Sequence, residues 1–318
     1  METFKGNNDV SRLKGKVCLV TGGASGIGLA TVQHWAAAGA LVTIADLRTE
    51  EKGCALAQDI SDETGGNVNY VRCDVTDWDS QINAFRSAVT FGAKEELDVV
   101  ATFAGTAFAA ENVVDQVLRA GEPSLESKLA PPDVRNIDIN LKGVYYSTWL
   151  ALYYMRMKPG ARNSPSIQDG INTVPLAEKS LVMVSSIAGY FDSPKTATYP
   201  ASKFGVRGLF RATRARTLDI GVRCNLLAPW FVDTPLVAPI KNGMAARGID
   251  IGRVLSFASI ESCVEAATFC AVDTELHGRA LAIQPEGIFD LKDDFEHGWA
   301  GDQLRPIIQR RRDAGFKA

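Results

Sequence analysis

Thr21-Gly22-Gly23-Ala24-Ser25-Gly26-Ile27-Gly28 stands between an apolar run at 17–21 and a helix-forming stretch at 29–38. Four glycines in seven residues remove the side chains that would separate a strand end from a helix start. The backbone can then approach a pyrophosphate, whose charge lies at the helix N-terminus. A turn of this kind is productive only where a buried strand feeds a helix that packs back onto it, so it confines the chain to βαβ architecture. Asp46, 18 residues after Gly28, ends the second apolar run. A carboxylate there accepts hydrogen bonds from both hydroxyls of an adenosine ribose and repels a 2′-phosphate, which favours NAD over NADP. Arg48 is the opposing feature, because an arginine accommodates a phosphate. Asp74 and Val75, after the third run, fall at the adenine edge of the same crevice, with a helix cap as the alternative role for Asp74.

The rest of the chain keeps the same rhythm. Apolar runs at 17–21, 41–46, 68–73, 97–103, 181–185, 222–228 and 280–283 alternate with helical stretches. Near-continuous apolar strands of this kind belong to a sheet covered on both faces, so the expected fold is α/β. Neither an internal repeat nor a Pro/Gly-rich interdomain linker divides the sequence. The expectation is one domain over 1–318, with a core at about 12–290 and an extension at 291–318. The stretches 109–132 and 158–179 exceed simple connections, a length more often tied to function than to core. Arg310, Arg311 and Arg312 give the tail a charged, solvated character.

Composition removes several classes of function. A net charge of -3 leaves no basic footprint for nucleic acid. No apolar run approaches the roughly 18 residues of a membrane helix. Residues 1–10 are polar and lack a signal core, which suits a cytoplasmic protein. The six cysteines show no CxxC pairing and read as reduced core thiols, and no metal site is expected.

The chemistry is carried by Tyr199-Pro200-Ala201-Ser202-Lys203, with Ser186 thirteen residues upstream. A phenol is a poor acid or base near neutrality unless its pKa of about 10 is lowered. Residues four apart share a helix face, so Lys203 can hold an ammonium near Tyr199 and favour the phenolate. Ser186 then donates a hydrogen bond to the C–O oxygen that Tyr199 protonates or deprotonates.

Glycine turn, strand-end Asp and Ser…Tyr-x-x-x-Lys together resemble the short-chain dehydrogenase/reductase family over residues 12–290. The resemblance implies a single-domain Rossmann fold: a doubly wound sheet of seven parallel strands with helices on both faces. It implies that Thr21, Gly22, Ser25, Gly26, Ile27 and Gly28 bind the dinucleotide, with Asp46, Asp74, Val75, Ala104 and Gly105. Ser186, Tyr199 and Lys203 take the family's catalytic places, and Ser185 is the weaker serine on spacing. Asn140 takes that of an asparagine in a proton relay behind the lysine. Pro229 and Thr234 match the family's segment at the nicotinamide. Phe103 replaces an asparagine that braces the central strands, and Trp230 replaces a glycine. Trp230 either shapes the pocket or packs outward.

The reaction implied is hydride transfer between nicotinamide and a secondary alcohol or ketone, with Lys203 also bonding the nicotinamide ribose. Expected pocket residues are Phe108, Tyr190, Phe191, Trp230 and Met244. They are poor in charge and suit a fairly apolar substrate such as a polyketide, a terpenoid or a steroid-like alcohol. Two other readings stand beside it: a non-redox step on the same scaffold, and a non-catalytic dinucleotide binder. Tyr145, Tyr146, Trp149, Tyr153 and Tyr154 crowd one helix and point to a homodimer or homotetramer. The tail from Asp290 covers either its own pocket or a neighbour's, which the sequence leaves open.

Overall fold

Strand β1 (Val17–Thr21) is buried at every position, and its neighbours explain why. It pairs in parallel with β2 (Leu41–Asp46) on one side and β4 (Val99–Thr102) on the other. The computed structural model describes residues 3–92, 95–108, 112–157, 178–191, 195–250, 252, 255–293 and 310. The stretch 158–177 and the tail at 294–309 and 311–318, including Arg311 and Arg312, lie outside the described residues.

The remaining strands are β3 (Asn67–Arg72), β5 (Lys179–Val184), β6 (Val222–Pro229), β7 (Ala280–Gln284) and β8 (Gly287–Asp290). The sheet order is β3-β2-β1-β4-β5-β6-β7-β8. Strand order reverses between β1 and β4, which opens a crevice at the carboxyl ends of those two strands. Seven strands are parallel, as the sequence implied, but the sheet has eight: β8 runs antiparallel to β7 in the register Gln284↔Gly287. A two-residue hairpin needs no helix, so nothing in the alternating pattern announces it. Gly287, at φ 135°, makes the turn possible.

Helices cover both faces: α1 (Gly26–Ala37), α2 (Glu50–Thr64), α3 (Trp78–Phe91), α5 (Gly143–Tyr154), α6 (Thr198–Thr217) and α8 (Ile260–Val272). Two shorter ones, α4 (Val113–Arg119) and α7 (Ala238–Ala245), bury none of their residues. Alternate strand residues point to opposite faces and build two cores. Val20, Val42, Ile44, Val182 and Leu281 pack with Trp35 of α1 and Phe269 of α8. Leu19, Val100, Leu181, Met183 and Leu226 pack with Phe85 of α3, Leu150 of α5 and Phe210 of α6. All six cysteines are free, and five are buried in these cores. Among the described residues no helix is long and apolar enough to cross a membrane, and no side-chain group is arranged to hold a metal.

Arg223 places a guanidinium inside the core. Arg223, at the start of β6, is 1% exposed, and burial pulls its pKa down from the ordinary value. Its guanidinium donates to the carbonyls of Cys270 at 2.8 Å, Ala271 at 2.7 Å and Leu276 at 3.1 Å. It thus satisfies the C-terminal end of α8, where the helix dipole favours a cation. Arg223→Met leaves three buried carbonyls without this donor and should lower unfolding free energy by about 3–5 kcal/mol, at about 1–3 kcal/mol for each unsatisfied group. Arg86→Met, at an exposed site on α3, should change it by less than about 0.5 kcal/mol. Urea melts of both variants check this, and a parent-like midpoint for Arg223→Met would refute the account.

Candidate active site

The glycine turn sits where two backbones nearly touch. Gly22 has φ +70°, and a Cβ there would lie 2.5 Å from the Ala104 nitrogen, just beyond β4. A Cβ on Gly28 would lie 2.3 Å from the Gly22 carbonyl oxygen. Gly26, at φ +54°, turns under the side chain of Thr234. Thr21 Oγ1 accepts from Ala104 N at 3.4 Å, which ties β1 to the loop after β4. Ser25 precedes α1 in extended conformation and its side chain makes no cap bond. Ser25 therefore leaves the first-turn N–H groups, with Ile27 among them, without a side-chain cap.

Asp46 reaches this turn from the end of β2: its Oδ2 accepts from Ala24 N at 3.1 Å. The peptide beneath it is braced by Tyr70, whose hydroxyl lies 2.9 Å from the Asp46 carbonyl oxygen and 2.6 Å from that of Arg48. Burial, with Asp46 and Glu50 nearby, pushes that phenol up and keeps it a donor. The ring occupies space that Gly53 leaves, since a Cβ there would fall 2.1 Å from it. Sequence reasoning missed Tyr70; a glycine inside α2 was the available signal of a close approach. Asp74 Oδ1 accepts from Thr76 N and Thr76 Oγ1, both at 2.8 Å, so that oxygen closes a local turn. Val75 is buried under Gly143.

The proton-handling side chains converge beside Gly105. Asn140 lies in a wide π-type turn, Asp138–Lys142, that leads into α5. Turns of this type inside helices recur at functional sites. Its amide clasps Thr106, accepting from N at 2.8 Å and donating to O at 2.9 Å, and donates to Ser202 Oγ at 3.1 Å. A Cβ on Gly105 would meet Asn140 Oδ1 at 3.2 Å and Lys203 Nζ at 3.8 Å. Asn136, one turn earlier and 1% exposed, holds Phe108 N and O and donates to Thr198 Oγ1 at 2.9 Å. The sequence reading passed over it, although two asparagines four apart on one helical face were visible.

Ser186 follows β5. Its Oγ accepts from Ala188 N at 3.1 Å and lies 3.3 Å from the Pro229 carbonyl oxygen. Ser185 spends its hydroxyl on the Lys203 carbonyl at 2.8 Å. Lys203 is 6% exposed, with Nζ 3.4 Å from the Val184 carbonyl oxygen and 5.7 Å from the Tyr199 ring centroid. Burial brings the ammonium down to about 8. Burial also pushes the Tyr199 phenol up, and the contact that opposes this is Ser186. The sequence reading assigns a downward pull to Lys203, whose ammonium is itself desolvated here and lies 5.7 Å from the ring centroid.

The expected pocket residues separate. Trp230 donates its indole N–H to the Ser256 carbonyl at 3.0 Å and lies 5.4 Å from Phe231 and 6.1 Å from Phe191. Phe108 stacks under the Arg135 guanidinium at 4.0 Å. Met244 is half-buried on α7. Tyr190 instead turns into a charged cluster, its hydroxyl on Asp293 Oδ2 at 2.8 Å. Phe103 packs against the α1/α8 core, so an apolar contact stands at the expected asparagine position.

A glycine-lined turn at the switch point of a doubly wound sheet, with a buried lysine, a tyrosine and a serine beside it, is the arrangement of a nicotinamide-dependent oxidoreductase. A family model described as short chain dehydrogenase matches residues 16–166 and 176–245. The chain is 64% identical over 318 residues to 5'-hydroxyaverantin dehydrogenase of Dothistroma septosporum, covering 100% of both. It is 54% identical to 5'-hydroxyaverantin dehydrogenase stcG of Emericella nidulans, over 99% of each chain. The NADP-dependent dehydrogenase clz5 of Cochliobolus lunatus is 32% identical, over 86% of this chain and 91% of that one. The chain belongs to the short-chain dehydrogenase family.

Tyr70→Phe removes the donor under Asp46. It should cost about 1 kcal/mol and weaken dinucleotide binding by about fivefold, the worth of one such bond. A fluorescence titration measures it, and a dissociation constant within twofold of the parent's would show that Tyr70 does not brace Asp46.

Proposed function

We propose that this chain is an NAD-dependent dehydrogenase that oxidises a secondary alcohol of a fairly apolar, medium-to-large secondary metabolite. The compound we assign is 5'-hydroxyaverantin, oxidised at its 5'-hydroxyl. The observation that carries the assignment is the end-to-end likeness to two relatives that bear that compound's name. Trp230, Phe231 and Phe191, grouped beside the Ser186–Pro229 contact, support it as an apolar aromatic wall.

The residues present fit a dinucleotide: the Gly22–Gly28 cradle is one that side chains would fill, and Asp46 stands at its ribose end. When bound, the nicotinamide supplies the hydride acceptor. In our reading Ser186 Oγ holds the substrate oxygen, and Tyr199 Oη takes the hydroxyl proton as the C–H bond breaks. Lys203 Nζ bonds the nicotinamide ribose, and its charge then favours the Tyr199 phenolate. Asn140 links the lysine to solvent. Asp46 supports NAD over NADP because its carboxylate repels a 2′-phosphate, although two 32% relatives are named NADP-dependent. We take 1–318 as one domain of a cytoplasmic homodimer or homotetramer. Tyr145, Trp149 and Tyr153 on α5 and Phe204 on α6, each 42–53% exposed, support association through those helices.

The test incubates the enzyme with 5'-hydroxyaverantin and with other alcohols and ketones, using NAD and NADP in parallel. Reduced nicotinamide should appear with NAD, and the oxidation rate should rise with pH, since Tyr199 must lose its proton to act as the base. Substrate consumed without that absorbance would replace this reading with a non-redox step. Tyr199→Phe should lower kcat by about 10²–10⁴-fold with NAD affinity within about twofold of the parent's. Surviving turnover would remove the tyrosine from the mechanism. Trp230→Ala should raise KM for the bulky substrate by about fivefold, the scale of one lost aromatic contact. An unchanged KM would place the indole outside the pocket.

A further inference from the structure

We infer that Asp293 is a positioning residue for the catalytic serine, its buried carboxylate pinning the Ser186–Tyr190 turn to the helix that carries Tyr199 and Lys203. The inference rests on the reading of Ser186 and Tyr199 as the proton-handling pair.

The Asp293 side chain is fully shielded from solvent. Burying a carboxylate is costly unless donors surround it, and here they do. Oδ2 accepts from Tyr190 Oη at 2.8 Å and from Arg207 Nε at 2.9 Å. Oδ1 accepts from Arg211 Nη1 and, at 3.4 Å, from Arg207 Nη2. Burial works against ionisation, but the bonds from Arg207 and Tyr190 and the charges of both arginines outweigh it and hold the carboxyl below its ordinary range.

The donors come from two elements that the mechanism needs in register. Tyr190 ends the short turn Ile187–Gly189 that Ser186 begins. Arg207 and Arg211 lie one and two helical turns beyond Lys203 on α6. Arg207 also donates Nη1 to the Gly189 carbonyl at 3.2 Å and stacks its guanidinium 4.2 Å from the Tyr190 ring centre. Gly189 is pressed against the helix: a Cβ there would lie 2.9 Å from the Lys203 carbonyl oxygen. The near end of the turn is held by Ser185 Oγ on that same carbonyl. The far end is held by the Asp293 cluster, and Ser186 lies between the two anchors.

The backbone is shaped to deliver this carboxylate. Leu291 N donates to the Ala280 carbonyl at 2.8 Å, which continues the β7–β8 pairing. Lys292 then takes a left-handed φ of 46°, with its N–H on Asp290 Oδ1 at 2.8 Å. A non-glycine residue adopts that conformation only when its surroundings enforce it. The turn sends Asp293 inward across α6.

Asp293→Asn keeps the shape and removes the charge. Assayed in the full-length enzyme with NAD and an alcohol substrate, it should lower kcat roughly ten- to a hundredfold, the range for a displaced catalytic group. NAD affinity should stay within about twofold, because the glycine turn shares no contact with the cluster. The phenol of Tyr199 faces Ser186 from the turn and Lys203 from its own helix; with Ser186 loosened, its titration should move to higher pH. Ultraviolet difference titration against Tyr199→Phe reads that shift without turnover. Among the described residues, the groups facing Asp293 are Tyr190 from the turn and Arg207 and Arg211 from α6. Tyr190→Phe removes a single bond of the cluster, should shift both readouts the same way by less, and carries the test if Asp293→Asn does not fold. Parent-like kcat and phenol titration would overturn the proposal, as would a rate loss matched by lost folded enzyme with the titration unmoved. A parent enzyme inactive on every alcohol tried would count against the proposed function alone, since the phenol titration still decides the role of Asp293.

Discussion

The contact on which this structure depends is the near-collision of backbones at the switch point, where Gly22 lies under Ala104 and Gly28 under the Gly22 carbonyl. Any side chain at either glycine would push β1 away from β4 or lift α1 off the sheet. The pairing Cys18↔Val99 through Thr21↔Thr102 holds the two strands in register up to that point. Because the strands diverge in chain order just there, the crevice above them is a product of topology and stays open. The same pinch sets Gly105 against Asn140 and Lys203, so the glycine turn and the proposed proton-handling set share one support.

Burial governs how that set can work. A lysine at 6% exposure and a tyrosine beside it both resist ionisation, and neither group alone is suited to neutral pH. Only hydrogen bonds and charges aimed at the ionised forms offset the desolvation. Ser186 opposes it at Tyr199, and Lys203 has the Val184 carbonyl. The arrangement therefore requires rigid carriers, and the chain provides them by tying each loop to α6. Asn136 holds Thr198, Asn140 holds Ser202, and Ser185 holds the Lys203 carbonyl. Side-chain amides and hydroxyls do this with fixed geometry where an apolar contact would allow sliding.

What the sequence disclosed follows the range of each interaction. The glycine turn and the Tyr199–Lys203 spacing are local, so strand, turn and helix face could be read from a few residues. Family resemblance added Asn140, whose partners are distant, and the parallel order of seven strands. The hidden side chains depend on partners far along the chain. Tyr70 matters only because Gly53 clears space for its ring and Asp46 ends beside it. Asp293 is one acid in a polar tail until Tyr190, 103 residues away, reaches it. Strand β8 escaped for a different reason: a hairpin of four-residue strands leaves no helix-length gap to mark it.

The two departures from the family pattern have opposite physical consequences. Phe103 exchanges a polar brace for apolar packing against the α1/α8 core; that contact stabilises without fixing direction, so the loop after β4 relies on the Asn140–Thr106 clasp for its aim. Trp230 adds area beside the reaction centre, and its indole N–H, bonded to the Ser256 carbonyl, stops the ring from rotating freely. An apolar wall discriminates weakly between substrates that differ by a methylene, but it favours large flat surfaces over small polar ones through area alone. Selectivity for one hydroxyl among several must then come from register along that wall. On the proposed function, only an oxygen that reaches Ser186 and Tyr199 while the rest of the molecule lies against Trp230 meets both conditions, which would make the distance from reacting carbon to aromatic surface the quantity this site measures.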